Sequence, residues 1–413
     1  MSNNPYQNAI KELRKAVDIL KLDEHCFEIL KDPKKIIEFS LPLKLDNGEL
    51  KIFQGYRVQH NNDRGPHKGG IRFHPQVDMN EVKALAFWMS IKTAVMGLPY
   101  GGAKGGITVD PKKLSKAELQ RLSRLYVRAL KNDIGPDTDI PAPDVNTNAQ
   151  IMAWMTDEYS HLVGRDEPAS FTGKPVAIGG LADREAATGQ GGLYVLDEFL
   201  KNQKNEKRNH TIAVQGFGNV GALFAECVHY QSKSLKVVAV SDSQGTAYNN
   251  EGIDIPFIIS HKKEDGKVSG FDRCKDLGAD EIISYDADIL VLAALENAIT
   301  KENASKIKAK IILELANGPI TPEAEEILKE KGVVIIPDVL ANSGGVTVSY
   351  FEWVRGKSGD HWESDIIQEK LKRKMVIAYN EIMKMATTYN TDMRLASYVL
   401  AVSRISEAID LKL

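Results

Sequence analysis

The chain opens with Ile10, Leu13, Val17 and Leu20 at helical spacing, which predicts an amphipathic helix over residues 8–22. The period then changes. IIEFSLPLKL, the turn Asp46-Asn47-Gly48 and LKIFQGYRVQH read as a β-hairpin over 36–60. A helix is expected over about 80–96, with Asn80 as N-cap and Gly97 as its stop. Its run ALAFWMSI is apolar nearly all round, so it should be covered on all sides. Residues 97–110 are rich in glycine, and 115–132 are again helical, opened by Ser115 and Glu118 at capping-box spacing. DIGPDTDIPAPDVNTN, residues 133–148, reads as loop and turn, and a further helix spans about 149–162. After a poorly periodic linker the pattern becomes helix 191–203, strand 211–215, helix 219–231 and strand 236–241. A loop-rich insert follows, then strands 288–292, 311–315 and 333–336. ADILVLAAL, KIILELAN and GVVIIPD are continuous apolar runs, as in strands covered on both faces. Alternating βα units of this kind build a parallel, doubly wound sheet. From Ser349 the apolar positions are helical again.

The predicted class is therefore α/β, divided at about 1–180, 181–348 and 349–413. At ~150 residues per domain the 413 residues hold two or three domains. Composition changes this picture little: 43% hydrophobic and 26% charged residues are ordinary for a folded chain. Lys+Arg is 53 against Asp+Glu 56, a net charge of -3, which argues against a nucleic-acid binder acting through bulk charge. No apolar run reaches the ~20 residues of a membrane span, and the opening MSNNPYQNAIKELRK has no signal-peptide core. The three cysteines, Cys26, Cys227 and Cys274, suit neither a metal cluster nor a disulfide scaffold and fit a reducing, cytoplasmic setting.

Candidate chemistry is concentrated in two places. In TIAVQGFGNVG, Gly216, Gly218 and Gly221 form G-x-G-x-x-G between a predicted strand and helix. The first glycine allows the tight turn, the second lets backbone approach a pyrophosphate, and the third lets helix pack on strand. The helix N-terminus offers free N–H groups to phosphate. Asp242 ends the next strand, 21 residues after Gly221, where an acid can bind a ribose 2′-hydroxyl. The alternative is a close-packed turn in an α/β core. The reading is NAD or NADP, with NAD slightly favoured by Asp242, although Lys262 or Lys263 could offset that acid.

The second place is a set of lysines. Lys68 lies in GPHKGGIRFHP and Lys104 in GGAKGG, both flanked by glycines that would let a ligand approach closely. Lys92 lies on the apolar helix with Trp88, Met89, Val95 and Met96 around it, where it cannot easily reach water. Each could be a loop charge or, for Lys92, a cation reaching past the helix end. With Asp144 in the proline-rich loop, they suit an anionic substrate with two carboxylates and a proton-transfer lysine of low pKa.

These residues carry a family resemblance. YRVQHNNDRGPHKGGIRFHPQVDMNEVKALAFWMSIKTAVMGLPYGGAKGGITVDP, DIPAPDVNTN, GFGNVG, ELANGPITPEA and PDVLANSGGVTVSYFEW resemble, in order and spacing, the hexameric glutamate, leucine, phenylalanine and valine dehydrogenase family. The resemblance runs from about residue 30 to the C-terminus and is greatest to glutamate dehydrogenases. It implies a substrate and assembly domain, a Rossmann-type cofactor domain with one antiparallel strand, and C-terminal helices returning to the first domain. It implies that Lys104 is the catalytic lysine and that Asp144 shuttles a proton at the substrate nitrogen. Lys92 would bind the α-carboxylate, and Lys68 with Ser349 the side-chain carboxylate. Thr188, Asn219 and Val220 would touch the cofactor, with Asn317 and Asn342 near nicotinamide and substrate. Turn roles for the two asparagines and a helix-start role for Ser349 are the alternatives. Members acting on apolar amino acids are expected to carry apolar residues where Lys68 and Ser349 stand, so L-glutamate, 2-oxoglutarate and ammonium are the implied reactants. A homohexamer closing a cleft over its substrate is implied too, with no metal. Met89 departs from members that carry a polar side chain near the α-carboxylate. The competing readings are a dehydrogenase for an apolar amino acid and a catalytically idle cofactor-binding protein.

Overall fold

The computed structural model describes residues 5–203 and 209–412. The opening residues 1–4, part of the segment read above as lacking a signal, lie outside them. The chain folds as two compact units: Met1–Arg184, Val346–Glu369 and Lys384–Leu413 form the first, and Glu185–Gly345 with Lys370–Met383 the second.

The first unit contains α1 (Pro5–Leu20), α2 (Glu24–Lys31), β1 (Lys35–Lys44), β2 (Leu50–Asn61), β3 (His67–His74), α3 (Met79–Val95), β4 (Gly102–Thr108), α4 (Lys116–Ala129), β5 (Asp139–Pro143) and α5 (Ala149–Val163). Its sheet runs β1-β2-β4-β3-β5. β1 and β2 are the expected hairpin, with Lys44 opposite Leu50. β2 pairs antiparallel with β4, whereas β4–β3 and β3–β5 are parallel. Phe73 and Ile107 of the sheet bury Leu122 and Tyr126 of α4 and Met152 of α5 in one core. α3 packs on β2 and β4 and is itself covered by α1 and the C-terminal helix, which is why its sequence is apolar all round.

Two expectations are corrected here. The α3 cap is Asp78, whose carboxylate accepts from Glu81 N, and Asn80 is inside the helix. Asp carries the cap because its side chain reaches the N3 amide from the last non-helical residue. The stretch 133–148 is not all loop: Asp139–Pro143 forms β5. β5 is an edge strand, where prolines lacking an N–H are tolerated. The Gly-rich stretch contains β4, whose repeated glycines conceal the strand pattern.

The second unit contains α6 (Ala187–Asn202), β6 (His210–Gln215), α7 (Asn219–Gln231), β7 (Leu235–Asp242), β8 (Gly245–Tyr248), α8 (Ile255–Asp265), β9 (Lys275–Leu277), β10 (Ile289–Leu292), β11 (Ile311–Glu314), α9 (Pro322–Glu330), β12 (Val334–Ile336) and α10 (Asp338–Ala341). The sheet order is β12-β11-β10-β6-β7-β8-β9. β8 is the one reversed strand, antiparallel to both β7 and β9. The strand order changes direction between β6 and β10, the switch point where open α/β sheets bind ligands. Three helices end the chain: α11 (Gly344–Ser358), α12 (Ser364–Tyr389) and α13 (Met393–Asp410). The middle of α12, Lys370–Met383, falls in the second unit, whereas the sequence reading sends all of 349–413 to the first. Among the described residues no helix is long and apolar enough to cross a membrane.

Candidate active site

In the first unit the strand register gathers the charged residues. Lys68 and Arg72 are four apart on β3 and so project to one face. Lys68 is registered with Ile140 of β5, and Arg72 with Gly106 of β4. Lys104, two before Gly106, and Asp144, four after Ile140, therefore share that face. The glycines flanking the lysines serve mainly this close packing. A Cβ on Gly69 would strike the Ala103 carbonyl, and one on Gly105 the Tyr126 hydroxyl. The ligand-approach reading is corrected accordingly: at these two positions it is protein, not open space, that requires glycine.

Lys104 is 5% exposed, and its Nζ lies 2.9 Å from Asp144 Oδ1. Asp144 Oδ2 accepts from Arg72 Nε at 2.8 Å, and Arg72 NH1 pairs with Glu81 on α3. Burial pushes the Lys104 ammonium down; Asp144 restores part of this, Arg72 opposes that recovery, and the net shift stays downward. Burial alone would raise Asp144, but Lys104 and Arg72 outweigh it and hold the carboxyl well below the usual carboxylate range. Lys92 is half-buried in the last turn of α3.

Lys68 is fully buried and donates to Ile140 O at 3.1 Å and Thr172 Oγ1 at 2.6 Å. An ammonium has three N–H donors, so one is left unspent by the chain. Burial, then the nearby Arg184 guanidinium, press its pKa well below that of an ordinary lysine. Arg184 Nε donates to Ser349 Oγ at 3.3 Å. Ser349 lies inside α11, not at a helix start, and is buried. Thr172 belongs to a segment fixed by a buried ion pair: Lys174 Nζ contacts Glu352 at 2.5 Å, and Glu352 also accepts from Gly173 N at 2.8 Å.

In the second unit the turn after β6 fits a dinucleotide. Gly216 has φ +90°, and a Cβ there would crowd Ala294. A Cβ on Gly221 would strike Gly216 O, whereas one on Gly218 would meet nothing within 4 Å. The first and third glycines are thus required by the protein, and the second faces open space beside the uncapped start of α7. Asn219 is exposed and Val220 half-buried at that start. Thr188 lies in the first turn of α6, beside Gly345. Asn342 Nδ2 donates to Asn317 Oδ1 at 2.9 Å, and neither asparagine has a positive φ that would make it a turn specialist. Both oxygens of Asp242 are engaged: Oδ2 accepts from Lys262 Nζ at 2.8 Å and Val268 N at 2.9 Å, and Oδ1 from Gln244 N at 2.9 Å.

Comparison with known proteins decides the family. The family described as Glutamate/Leucine/Phenylalanine/Valine dehydrogenase matches residues 179–412, and the Glu/Leu/Phe/Val dehydrogenase dimerisation domain matches 33–161. The chain belongs to the Glu/Leu/Phe/Val dehydrogenase family. It is 46% identical to the NADP-specific glutamate dehydrogenase of Synechocystis, over 100% of this chain and 98% of the relative. It is 47% identical to a catabolic NAD-specific glutamate dehydrogenase of Bacillus subtilis, over 92% of this chain and 89% of that one. The solved hetero-hexameric glutamate dehydrogenase of Thermus thermophilus, in its leucine-bound form, superposes with a TM-score of 0.94 at 38% identity, covering 100% of this chain and 98% of that one.

As an amino-acid dehydrogenase of this family, the chain carries three site-face residues that sequence reasoning missed. Arg72 was legible in principle, since it lies four residues after Lys68, but only once β3 is recognised as a strand. Thr172 and Arg184 lie in the poorly periodic linker, where nothing local signals them.

Proposed function

We propose that the chain catalyses the reversible oxidative deamination of L-glutamate to 2-oxoglutarate and ammonium with NAD or NADP. The observation that carries the reading is Lys68: a fully buried ammonium with two neutral acceptors and one unspent donor, near the charge of Arg184, which itself donates to Ser349. An apolar substrate tail would leave this cationic end unpaired, which is costly in a dry site, whereas a carboxylate tail completes it.

In this reading Lys68, Arg184 and Ser349 hold the side-chain carboxylate and Lys92 the α-carboxylate. Holding both ends fixes the direction of the α-hydrogen. Residues Gly216, Gly218, Asn219, Val220, Gly221 and Thr188 hold the cofactor, with Asn317 and Asn342 at its reactive end. When bound, the nicotinamide supplies the redox chemistry by accepting hydride from the α-carbon. Lys104, uncharged, takes a proton from the water that attacks the C=N carbon, and Asp144 carries protons to and from the nitrogen. Residues 1–180 would serve substrate binding and assembly and 181–348 the cofactor, with 349–369 and 384–413 completing the first domain. The assembly proposed is a cytoplasmic homohexamer, supported by the match to a dimerisation domain and by exposed Ile36, Leu50 and Ile52 on β1 and β2.

The test is reduction of NAD or NADP by purified protein with L-glutamate, L-leucine or L-phenylalanine. Reduction with glutamate alone is expected. Reduction with leucine or phenylalanine alone would refute the carboxylate-tail site.

Asp242 has its own consequence. An acid at the end of this strand selects NAD when its lone pairs are open to a ribose hydroxyl. Here Lys262 offsets its charge, so a 2′-phosphate meets an ion pair and not a bare carboxylate. Lys262→Ala is expected to raise the NADPH/NADH ratio of dissociation constants about tenfold or more, the effect of one charge-assisted hydrogen bond. Fluorescence titration of each reduced cofactor measures it, and an unchanged ratio would place the phosphate elsewhere.

A further inference from the structure

The four charges Lys104, Asp144, Arg72 and Glu81 form an alternating chain across three elements, β4, β3 and α3, and the segment after β5. Only the first two enter the chemistry proposed above. Arg72 is anchored at both ends of its guanidinium: Nε lies 2.8 Å from Asp144 Oδ2, and NH1 pairs with Glu81. Glu81 is itself fixed in the first turn of α3, where its N–H is capped by Asp78 at 2.9 Å. Asp144 is held from its backbone side as well, since Asp144 N donates to Thr147 Oγ1 at 2.7 Å. A Cβ on Gly70 would come within 2.8 Å of Asp144 Cβ, so the backbone of β3 passes close beside this residue. The result is a division of labour between its oxygens. Oδ2 is given to Arg72 and Oδ1 to Lys104.

We propose that Arg72, tethered by Glu81, is a positioning residue for the reaction: it fixes Asp144 so that Oδ1 alone exchanges protons, and it holds Asp144 as the anion while opposing positive charge on Lys104. The inference rests on the glutamate dehydrogenase reading for its kinetic test, but the geometry that motivates it does not.

The groups acting on the pair are few. Lys104 approaches from β4, Arg72 from β3 and Glu81 from α3; Lys68 lies further along β3 and Lys92 further along α3. Arg72 acts on both members in the same direction. It stabilises the Asp144 anion, lowering the carboxyl, and it repels the Lys104 cation, lowering the ammonium. Removing its charge therefore raises both. Glu81 acts oppositely: it favours the Lys104 cation and holds one end of Arg72 away from Asp144. Because the two groups are coupled, the shift belongs to the pair and not to either residue.

Arg72→Gln is expected to move the acidic limb of the kcat/KM profile for glutamate oxidation upward by about one to two pH units, and Glu81→Gln to move it downward. Arg72→Lys, which keeps the charge without the fork, should return the limb most of the way to its original position. KM for glutamate should change less than kcat, because neither residue is assigned to a carboxylate of the substrate. A merely structural role would lower thermal stability and the active fraction equally at all pH values and leave the limb in place. An unmoved limb in Arg72→Gln, or shifts of the same sign in both variants, overturns the proposal. Should Arg72→Gln not fold, the downward shift in Glu81→Gln alone decides it. The pH dependence of Lys104 acetylation by acetic anhydride, read by peptide mass spectrometry, gives the same directions without substrate. Movement there with no glutamate activity in the unaltered enzyme would sink the functional reading and leave this inference standing; no movement there sinks the inference.

Discussion

Lys104→Ala is expected to lower glutamate turnover by about 10²–10⁴-fold, the range spanned by loss of a positioned proton-transfer group. The affinity for reduced cofactor should stay essentially as it is, since the glycine turn lies in the other unit. The size of the effect follows from the surroundings of the lysine. Burial depresses its pKa, so the neutral amine is reached at less alkaline pH than in a solvated lysine. With Lys104 gone, Asp144 keeps the Arg72 cation on Oδ2 and loses the partner on Oδ1. Lys104→Arg separates charge from proton transfer. It retains a cation against Asp144, but a guanidinium does not deprotonate in proteins, so this variant should be as inactive as the alanine one. Steady-state kinetics and cofactor titration on all three proteins check this. Near-normal turnover in Lys104→Ala would remove the lysine from the mechanism, and recovery in Lys104→Arg would reduce its part to electrostatics.

What the sequence discloses depends on where the determining interactions lie. The cofactor sheet is legible because its strands are long apolar runs and its turn chemistry is local: Gly216, Gly218 and Gly221 are required by contacts within one βα unit. The hairpin and the capping box at Ser115 are legible for the same reason, and both capping bonds are present. The first unit is harder. β3 and β4 lie among glycines and β5 among prolines, so the composition that permits close strand packing also erases the strand signal. Lys68, Lys104 and Asp144 could be singled out by their company, but their partners could not. Lys68 meets Thr172 across 104 residues and Asp144 meets Arg72 across 72, distances over which no periodicity carries information. Asp242 shows the converse: sequence places the acid correctly and names Lys262 as a possible counter-charge, but only the fold brings the lysine to 2.8 Å.

The buried pair beneath the site face should have the largest effect on stability. Arg57 and Asp139 are both 0% exposed, with Arg57 Nε 2.8 Å from Asp139 Oδ2, and Gln59 adds a 3.0 Å bond to the same oxygen. Arg57 NH1 also reaches Gly69 O at 3.3 Å and Gly70 O at 3.4 Å, the two residues that follow Lys68. Asp139→Ala leaves a buried guanidinium without its counter-charge, and such losses amount to about 3–5 kcal/mol. Replacing both partners by apolar side chains, as in Arg57→Met with Asp139→Leu, should recover most of that. The penalty is pH-dependent with a definite sign. Burial raises the Asp139 carboxyl, but Arg57, with His67 and Gln59, more than offsets it, so its folded value lies below its unfolded one. The stability it contributes is then present above the unfolded carboxylate value and lost as pH falls through the folded one. Urea unfolding should therefore show wild type and Asp139→Ala far apart at neutral pH and converging in acid. Because the same guanidinium holds the strand of Lys68, KM for glutamate should rise in the single variant. A rise in KM without loss of stability would mean that the pair shapes the site directly, and a loss of stability that persists undiminished in acid would mean that the ion pair is not its source.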